Sequence, residues 1–352
     1  MTTGEFLEID GSFGEGGGSI LRVGAGFSVL FERSIRIKNI RANRPTPGLR
    51  AQHLMGLKTL SELTQSNLSD CKVGTTEIIL QPKKNAKSNI EIKIGTAGSI
   101  GLLLQPIQIA CLGLSAPEKI EISILGGGTF GKWAPSLNYL KEVAYQIFKT
   151  VGLNIDIEIQ KHGFYPKGGA IVKCTIKTPQ NKIKPIFLTE LGNLKLIRGE
   201  IVITNQLKGK NIGERIKKTV QQNLKKNLGL DTEINYIYVN SLSPGVGLSL
   251  WACSDTGAII STGTILGEKS ITAENLGKIA ANSMINYIKN KIPVDNYLSD
   301  QLIPIMGYAN EPSKIKVQKI TNHTKTNLEL TKLFLNRNYK IIKEKSHSII
   351  EF

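Results

Sequence analysis

The chain has 352 residues, 40% of them hydrophobic and 21% charged, so it can build a core and disorder is excluded as the default. Lysine and arginine number 45 against 28 aspartate and glutamate residues, which gives a formal net charge of +17. That excess attracts polyanions and indicates a nucleic acid or phosphorylated partner, or else an adaptation for solubility.

Strand and helix patterns alternate in repeated rounds of the order β-α-β-α-β-β. The first round is predicted as strand 5–12, helix 17–31, strand 34–42, helix 47–63 and two β-rich pieces near 70–82. The second is predicted as strand 90–95, helix 98–114, strand 119–127, helix 134–152 and strands near 153–178. A shorter third round follows, with helices near 295–308 and 325–336 and strands between and after them.

The composition changes between residues 185 and 290. A polar, lysine-rich linker is followed by an independent pattern of strand 194–204, basic helix 211–229, three strands and a helix near 272–290. The basic face of the first helix is either a solvated surface or a docking site. We predict an α/β (α+β) fold, with residues 1–184 and 291–352 forming a large domain of three repeats and residues 185–290 forming a small inserted α/β domain.

Residues 10–22, DGSFGEGGGSILR, place Glu15 in a glycine-rich turn that leads into a helix. Backbone N–H groups in such a turn can approach a phosphate, and a carboxylate there suggests a divalent cation between the two. A tight turn in which Glu15 neutralises the helix end explains the same residues. Glycine turns at 95–106 and 126–135 also open helices, and together the three indicate phosphates gathered at several helix N-termini.

The segment IRANRPTPGLRAQH is rich in groups that bind phosphate oxygens. It supplies Arg41, Arg44 and Arg50, followed by Gln52 and His53. A solvated basic rim accounts equally for the arginines, and His53 on an apolar helix is also typical of a satisfied, partly buried histidine.

The segment KHGFYPKGG, residues 161–169, interleaves basic and aromatic side chains. Such a pattern is typical of surfaces that bind nucleotide bases and phosphates. A β-turn with aromatic packing is an equally good interpretation.

His323 stands where a helix is predicted to begin, within KITNHTKTNLEL. A neutral imidazole can attack the α-phosphorus of a nucleotide, and a helix N-terminus with nearby lysines favours the unprotonated ring. Asp300 and Gln301 stand at another probable helix start, and Asp300 could orient the imidazole or hold a metal if the fold brings the two together. Without such neighbours, His323 would be a solvated histidine at a helix end.

Together these segments resemble the RNA 3′-terminal phosphate cyclase family over nearly the whole chain. Six motifs occur in the family's order: DGSFGEGGGSILR, RPTPGLRAQH, GTAGSIGLLLQ, GFYPKGG, YLSDQL and NHTKTNLELTKLFL. The resemblance implies three β-α-β-α-β-β repeats with a small inserted α/β domain, as the residue pattern also predicts. Segment 126–135 and the SPGVGLSL stretch follow the family less closely.

The resemblance assigns roles to individual residues. It implies that His323 is the nucleophile that forms a covalent histidine–AMP, and that Glu15 is the metal and active-site glutamate. It further implies an ATP- and phosphate-binding set, made up of Glu15, Arg22, Arg41, Arg44, Gln52, His53, Gln105, Tyr297, Asp300 and Gln301.

The implied reaction uses ATP with Mg²⁺ or Mn²⁺ and an RNA that ends in a 3′-phosphate. AMP passes from the histidine to the RNA, giving an RNA–pp–A end, and the vicinal 2′-OH then expels AMP to leave a 2′,3′-cyclic phosphate. The nucleophile of the last step is intramolecular, so much of the entropy of alignment is already supplied.

Two other functions compete with this interpretation. A cyclase-like ribosomal RNA processing factor shares the fold but lacks the nucleophilic histidine, which this chain retains as His323. An enolpyruvyl transferase would need two large domains of repeated βα units, which one large domain and an insert fit poorly.

The cysteines and apolar stretches indicate the compartment. Four widely spaced cysteines without a C-x-x-C pair argue against a zinc site and a disulfide scaffold. The first residues contain no basic leader or apolar signal, and the longest apolar stretch, 100–114, is interrupted and too short to cross a bilayer. We expect a cytoplasmic protein without membrane association.

Overall fold

The first repeat forms a four-stranded mixed sheet with two helices packed on it. The computed structural model describes residues 6–14 and 16–352. The elements are β1 (Leu7–Asp10), α1 (Gly18–Leu30), β2 (Ile35–Lys38), α2 (Ala51–Thr64), β3 (Asn67–Leu68) and β4 (Ile78–Gln81). The strand order is β1-β2-β4-β3, with β1 parallel to β2 and the other two pairs antiparallel.

The second repeat has the same order of elements and longer strands. They are β5 (Asn89–Ser99), α3 (Ile100–Ala110), β6 (Lys119–Gly128), α4 (Leu137–Tyr139), a π-helical turn (Leu140–Ala144), α5 (Tyr145–Val151), β7 (Asn154–Lys161) and β8 (Ile171–Lys177). The strand order β5-β6-β8-β7 again begins with a parallel pair. Strand β6 alternates buried and exposed residues, as expected for a sheet with one face on the core.

The chain then enters a second α/β unit with a sheet of its own. After the short strand β9 (Phe187–Leu188), the elements are β10 (Leu194–Thr204), α6 (Ile212–Leu228), β11 (Asp231–Val239), β12 (Val246–Ser254), β13 (Ile259–Ser261), β14 (Ile265–Leu266) and α7 (Ala273–Lys289). Four strands follow α6 where the sequence predicts three, because β13 and β14 are too short to give a periodic signal. Helices α6 and α7 pack on this sheet through buried residues such as Ile216, Val220 and Met284.

The third repeat is split by this inserted unit. Its remaining elements are α8 (Asn296–Tyr308), β15 (Lys314–Val317), α9 (Asn322–Leu335), β16 (Lys340–Lys343) and β17 (Ser348–Glu351). Strand β9, which precedes the insert, pairs in parallel with β15, which follows it. The sheet order is therefore β9-β15-β17-β16, the same topology as in the first two repeats.

These three equivalent sheets confirm the predicted α/β fold of repeated β-α-β-α-β-β units. One large apolar cluster joins the repeats, and a separate cluster fills the insert. The domain division at residues 185 and 290 stays a prediction, and β9 lies inside the range predicted for the insert although it belongs to the third sheet. No helix in the described part of the chain is long and apolar enough to cross a membrane.

A small aromatic cluster joins the insert to the second repeat. The rings of Phe130 and Phe164 stack with centroids 5.1 Å apart and planes 7° apart, and they form one cluster with the buried Val202 of β10. A Cβ at Gly245 would overlap Phe164, and one at Gly247 would overlap Phe130. The glycines of the GVG segment are thus required where two rings lie against the backbone of the insert.

Candidate functional site: a cationic cleft at several helix N-termini

A cleft of about 990 Å³ lies where all three repeats and the insert meet. It takes residues from the first turns of helices α1, α2, α3 and α9, each of them at least 11 residues long. The cleft-lining residues in these first turns are Gly18, Gln52, His53, Leu102 and His323. Because a helix N-terminus presents free N–H groups and a partial positive charge, several of them at one cleft make a site for an anion with more than one phosphate.

Arg22 projects from α1 into this cleft, one turn beyond the helix start. Its Nε donates to Oε1 of Gln105 at 2.7 Å, and Gln105 lies buried on α3. Gln105 does not line the cleft itself. Its amide oxygen fixes the orientation of the Arg22 guanidinium, so the two predicted site residues are brought together.

His53 is buried and serves as a neutral hydrogen-bond donor. The backbone N–H of Arg50 donates to its Nδ1 at 3.2 Å. Burial, and then the charges of Arg22, Arg41 and Arg50, lower the pKa of His53 to about 3. A neutral imidazole whose Nδ1 accepts a hydrogen bond carries its proton on Nε2. His53 is therefore a buried, hydrogen-bonded histidine, as one interpretation of the sequence has it, and it also lines the cleft, as the phosphate-binding interpretation has it.

Gly18 makes room for this arrangement. A Cβ at position 18 would overlap Nε2 of His53 and would lie 2.6 Å from Nη1 of Arg22. A glycine is thus needed at position 18 because the side chains of Arg22 and His53 lie against the start of α1.

Arg41 and Arg44 line the same cleft. Arg41 has a left-handed backbone, with φ of 55°, and its Nη1 donates to the carbonyl oxygens of Thr46 at 2.7 Å and Gly48 at 3.1 Å. Burial, and then the neighbouring charges of Arg50 and Arg44, lower the pKa of Arg41. Gathering like charges in this way is unfavourable in the free protein and becomes favourable when a polyanion binds.

His323 enters the cleft from the second position of α9. The helix begins at a Thr321 cap, whose Oγ1 accepts from the N–H of Thr324 at 2.9 Å. Asp300 Oδ1 accepts from the hydroxyls of both threonines at 2.6 Å. Asp300 therefore holds the helix turn that carries His323, and the Nδ1 edge of the imidazole is buried.

The other two residues of the Y-x-x-D-Q motif lie outside the main cleft. Tyr297 lines an adjoining cavity of about 330 Å³, which shares Trp133 with the cleft. Gln301 is buried, and its Oε1 accepts from Nε2 of Gln108 at 3.1 Å. The structure thus gives Gln301 a packing role and does not bring it to the cleft.

Glu15, the predicted metal residue, lies outside the described residues. Within residues 6–14 and 16–352, no group of three His, Cys, Asp or Glu side chains is placed to hold a metal ion. The carboxylate that lines the described cleft is Glu268, and Lys132 Nζ holds it at 2.9 Å. The hydrogen-bond donors of the cleft fit phosphate oxygens, and the described residues alone do not form a metal-binding site.

The insert supplies one wall of the cleft, which the sequence did not indicate. Its contributions are Pro244, Gly245, Val246, Leu266, Gly267 and Glu268. Segments 130–134 and 164–165 of the second repeat add aromatic side chains to the cleft, and they contact the insert through the Phe130–Phe164–Val202 cluster and the Lys132–Glu268 ion pair. By contrast, His162 is buried with its Nδ1 3.0 Å from the Thr129 hydroxyl, so it is a packing residue. The glycines of segment 245–247 were the signal for this wall, since they mark the close approach of backbone and ring.

Comparisons with known proteins agree over almost the whole chain. A family model described as RNA 3′-terminal phosphate cyclase matches residues 13–341. A protein of that name from Thermococcus gammatolerans is 36% identical over 337 residues, 96% of this chain and 94% of the relative. Proteins of the same name from Methanopyrus kandleri and Pyrobaculum aerophilum are each 35% identical, over 94% and 98% of this chain and 93% and 97% of the relatives. The chain therefore belongs to the RNA 3′-terminal phosphate cyclase family.

Proposed function

We propose that this protein is an ATP-dependent enzyme that converts the 3′-phosphate end of an RNA to a 2′,3′-cyclic phosphate, through a histidine–AMP and an RNA–pp–A intermediate. The observation that carries the proposal is the position of His323, at a helix N-terminus that opens into the same cleft as three arginines and a neutral His53. A nucleophile beside an array of phosphate-binding groups is what nucleotidyl transfer needs.

In the first step, Nε2 of His323 attacks the α-phosphorus of ATP, since Nδ1 is buried. An N–P bond forms, the bond to the β-phosphate oxygen breaks, and pyrophosphate leaves. Arg22, Arg41 and Arg44 bind phosphate oxygens. Neutral His53 donates a hydrogen bond from its Nε2 and does not itself transfer a proton. Donors that are already oriented lower the barrier because they do not reorganise as charge moves to the leaving group.

In the second and third steps, the RNA end is activated and then closed. An oxygen of the 3′-phosphate attacks the phosphorus of the AMP, and His323 leaves, which gives RNA–pp–A. The neighbouring 2′-OH then loses its proton and attacks the 3′-phosphorus, and AMP leaves with the bonding electrons of the P–O bond. Activation turns a poor leaving group into a good one, and proximity supplies much of the remaining acceleration.

Mg²⁺ or Mn²⁺ would add charge neutralisation at the phosphates of ATP when it is bound. The expected carboxylate, Glu15, lies outside the described residues, so the roles above are assigned to the arginines, His53 and His323 alone.

The direct test is capture of AMP by the protein without RNA. The protein is incubated with α-labelled ATP and a divalent cation, beside His323→Ala and a matched control, His347→Ala, in the turn between β16 and β17. We expect acid-labile, alkali-stable label on the wild type and on the control, and none on His323→Ala. A second assay follows conversion of a 3′-phosphorylated oligoribonucleotide to a phosphatase-resistant end.

Two results would contradict the proposal. Retained label on His323→Ala would remove His323 as the nucleophile. The absence of label and of phosphatase-resistant ends in every protein would favour a factor that binds RNA without cyclising it.

Binding of RNA should also weaken as salt rises, because the described cleft contacts phosphates mainly through arginine.

A further inference from the structure

Two large aromatic side chains of the cleft are almost fully in solvent. Tyr165 is 80% exposed and Trp133 is 90% exposed, and both line the cleft. Exposing such rings forgoes the favourable burial of large apolar surfaces. Trp133 also adopts a left-handed backbone with φ of 59°, which is uncommon for a bulky residue. Rings that a fold leaves exposed at a cationic cleft indicate a ligand with flat faces.

The turn that carries Tyr165 is held firmly on both sides. Gly168 N–H donates to the carbonyl oxygen of Phe164 at 2.8 Å, and Phe164 itself is buried against Phe130. The N–H of Lys167 donates to Oγ of Ser243 in the insert at 3.1 Å. Tyr165 therefore projects from a fixed backbone, and little ordering is lost when a ligand binds to its ring.

We propose that Tyr165 is a stacking platform for a base of the RNA near its 3′ end, with Lys167 beside it for a backbone phosphate. This inference rests on the proposed function and names how the same site holds its polymer substrate. Aromatic rings bind unpaired bases by stacking, with little preference among bases because each base has a π-face. The site should thus accept single-stranded 3′ ends of varied sequence.

The position of Tyr165 favours RNA over the adenine of ATP as the source of the base. A side chain with four-fifths of its surface in solvent lies at the mouth of the cleft, where a polymer must leave it. Tyr165 also lies apart from the adjoining 330 Å³ cavity, which Trp133 and Tyr297 line instead. The adenine of ATP is the competing source that the experiment must exclude.

The experiment measures binding of 3′-phosphorylated oligoribonucleotides to Tyr165→Ala, Tyr165→Phe and the wild type. Phe187→Ala provides a matched control, because Phe187 is 63% exposed and lies on β9 outside the cleft. Loss of one stacked base should weaken binding by Tyr165→Ala on the order of tenfold, while Tyr165→Phe keeps the ring and binds like the wild type. RNAs with one abasic nucleotide, placed in turn at each of the last positions, then locate the base.

At the position that stacks, the abasic RNA should bind the wild type and Tyr165→Ala equally, since the interaction is already missing. Equal binding of all full RNAs to Tyr165→Ala and to the wild type would overturn the inference. So would weaker AMP capture from ATP alone in Tyr165→Ala, because the base would then be adenine. If the wild type captured no AMP, the proposed function would fail, whereas RNA binding that still depended on Tyr165 and on one base would sustain the stacking assignment.

Discussion

The neutrality of His53 gives a prediction whose size follows from the structure. Its pKa falls from 6.5 to about 3, mainly through burial and then through Arg22, Arg41 and Arg50. Below pH 6.5 the unfolded chain binds a proton that native His53 does not. The contribution of His53 to stability is therefore fully present above pH 6.5 and is lost as the pH falls towards 3, with a limiting slope of roughly 1.4 kcal/mol per pH unit and a total of about 5 kcal/mol.

The assay uses NMR of the protein with ¹³C-labelled histidine. Only four histidines occur in the chain, so the His53 signal can be assigned by its loss in His53→Gln. We expect this signal to stay at the neutral chemical shift down to pH 5. The difference in unfolding free energy between wild type and His53→Gln should also change by about 1 kcal/mol between pH 6.5 and 5.5, since the unfolded histidine is only half protonated at pH 6.5.

A native His53 that titrates near pH 6.5 would refute this reasoning. The imidazole would then be charged at mildly acidic pH, and the cleft would hold a further cation instead of a neutral donor. Unchanged pH dependence of stability in His53→Gln would lead to the same conclusion.

Three further changes test the supports of the cleft. Gly18→Ala should displace His53 and Arg22 and reduce AMP capture at least tenfold with little change in circular dichroism; normal capture would mean that the cleft tolerates the shift. Gln105→Leu removes the acceptor of Arg22 Nε and should raise the Kd for ATP about tenfold, as expected for a hydrogen bond to a charged group, measured by calorimetry. Burial raises the pKa of Asp295, the N-cap of α8, to about 7, so the contribution of this carboxyl group to stability should fall as the pH rises from 3.8 to 7; the stability difference between wild type and Asp295→Asn in thermal melts should follow that fall, and a difference that does not depend on pH would contradict it.

Local pattern was enough to predict the elements of the fold. The predicted strand 194–204 coincides with β10, and the predicted basic helix 211–229 contains α6, because alternation and helical spacing are properties of adjacent residues. The two-residue strand β9 carries no period at all, and only its pairing with β15 places it in the third repeat.

The site was predictable in its residue types and less so in its contacts. Arg22, His53 and His323 stand far apart in the sequence yet line one cleft, as the glycine turns before helices suggested. The sequence does not distinguish a residue that lines a cleft from one that supports it. Gln105 and Gln301 are both buried on helices, and only the packing shows that the first holds Arg22 and the second holds Gln108.

The split third repeat bears on how the chain folds during synthesis. Strand β9 leaves the ribosome before the insert, yet its sheet partner β15 is made only after α7 and α8. The insert has its own apolar core, so it can fold before β9 pairs with β15. A folded insert holds its two ends close together, which reduces the entropy lost when β9 and β15 meet. Mutations that weaken the core of the insert should therefore slow completion of the third sheet, and with it the placement of His323.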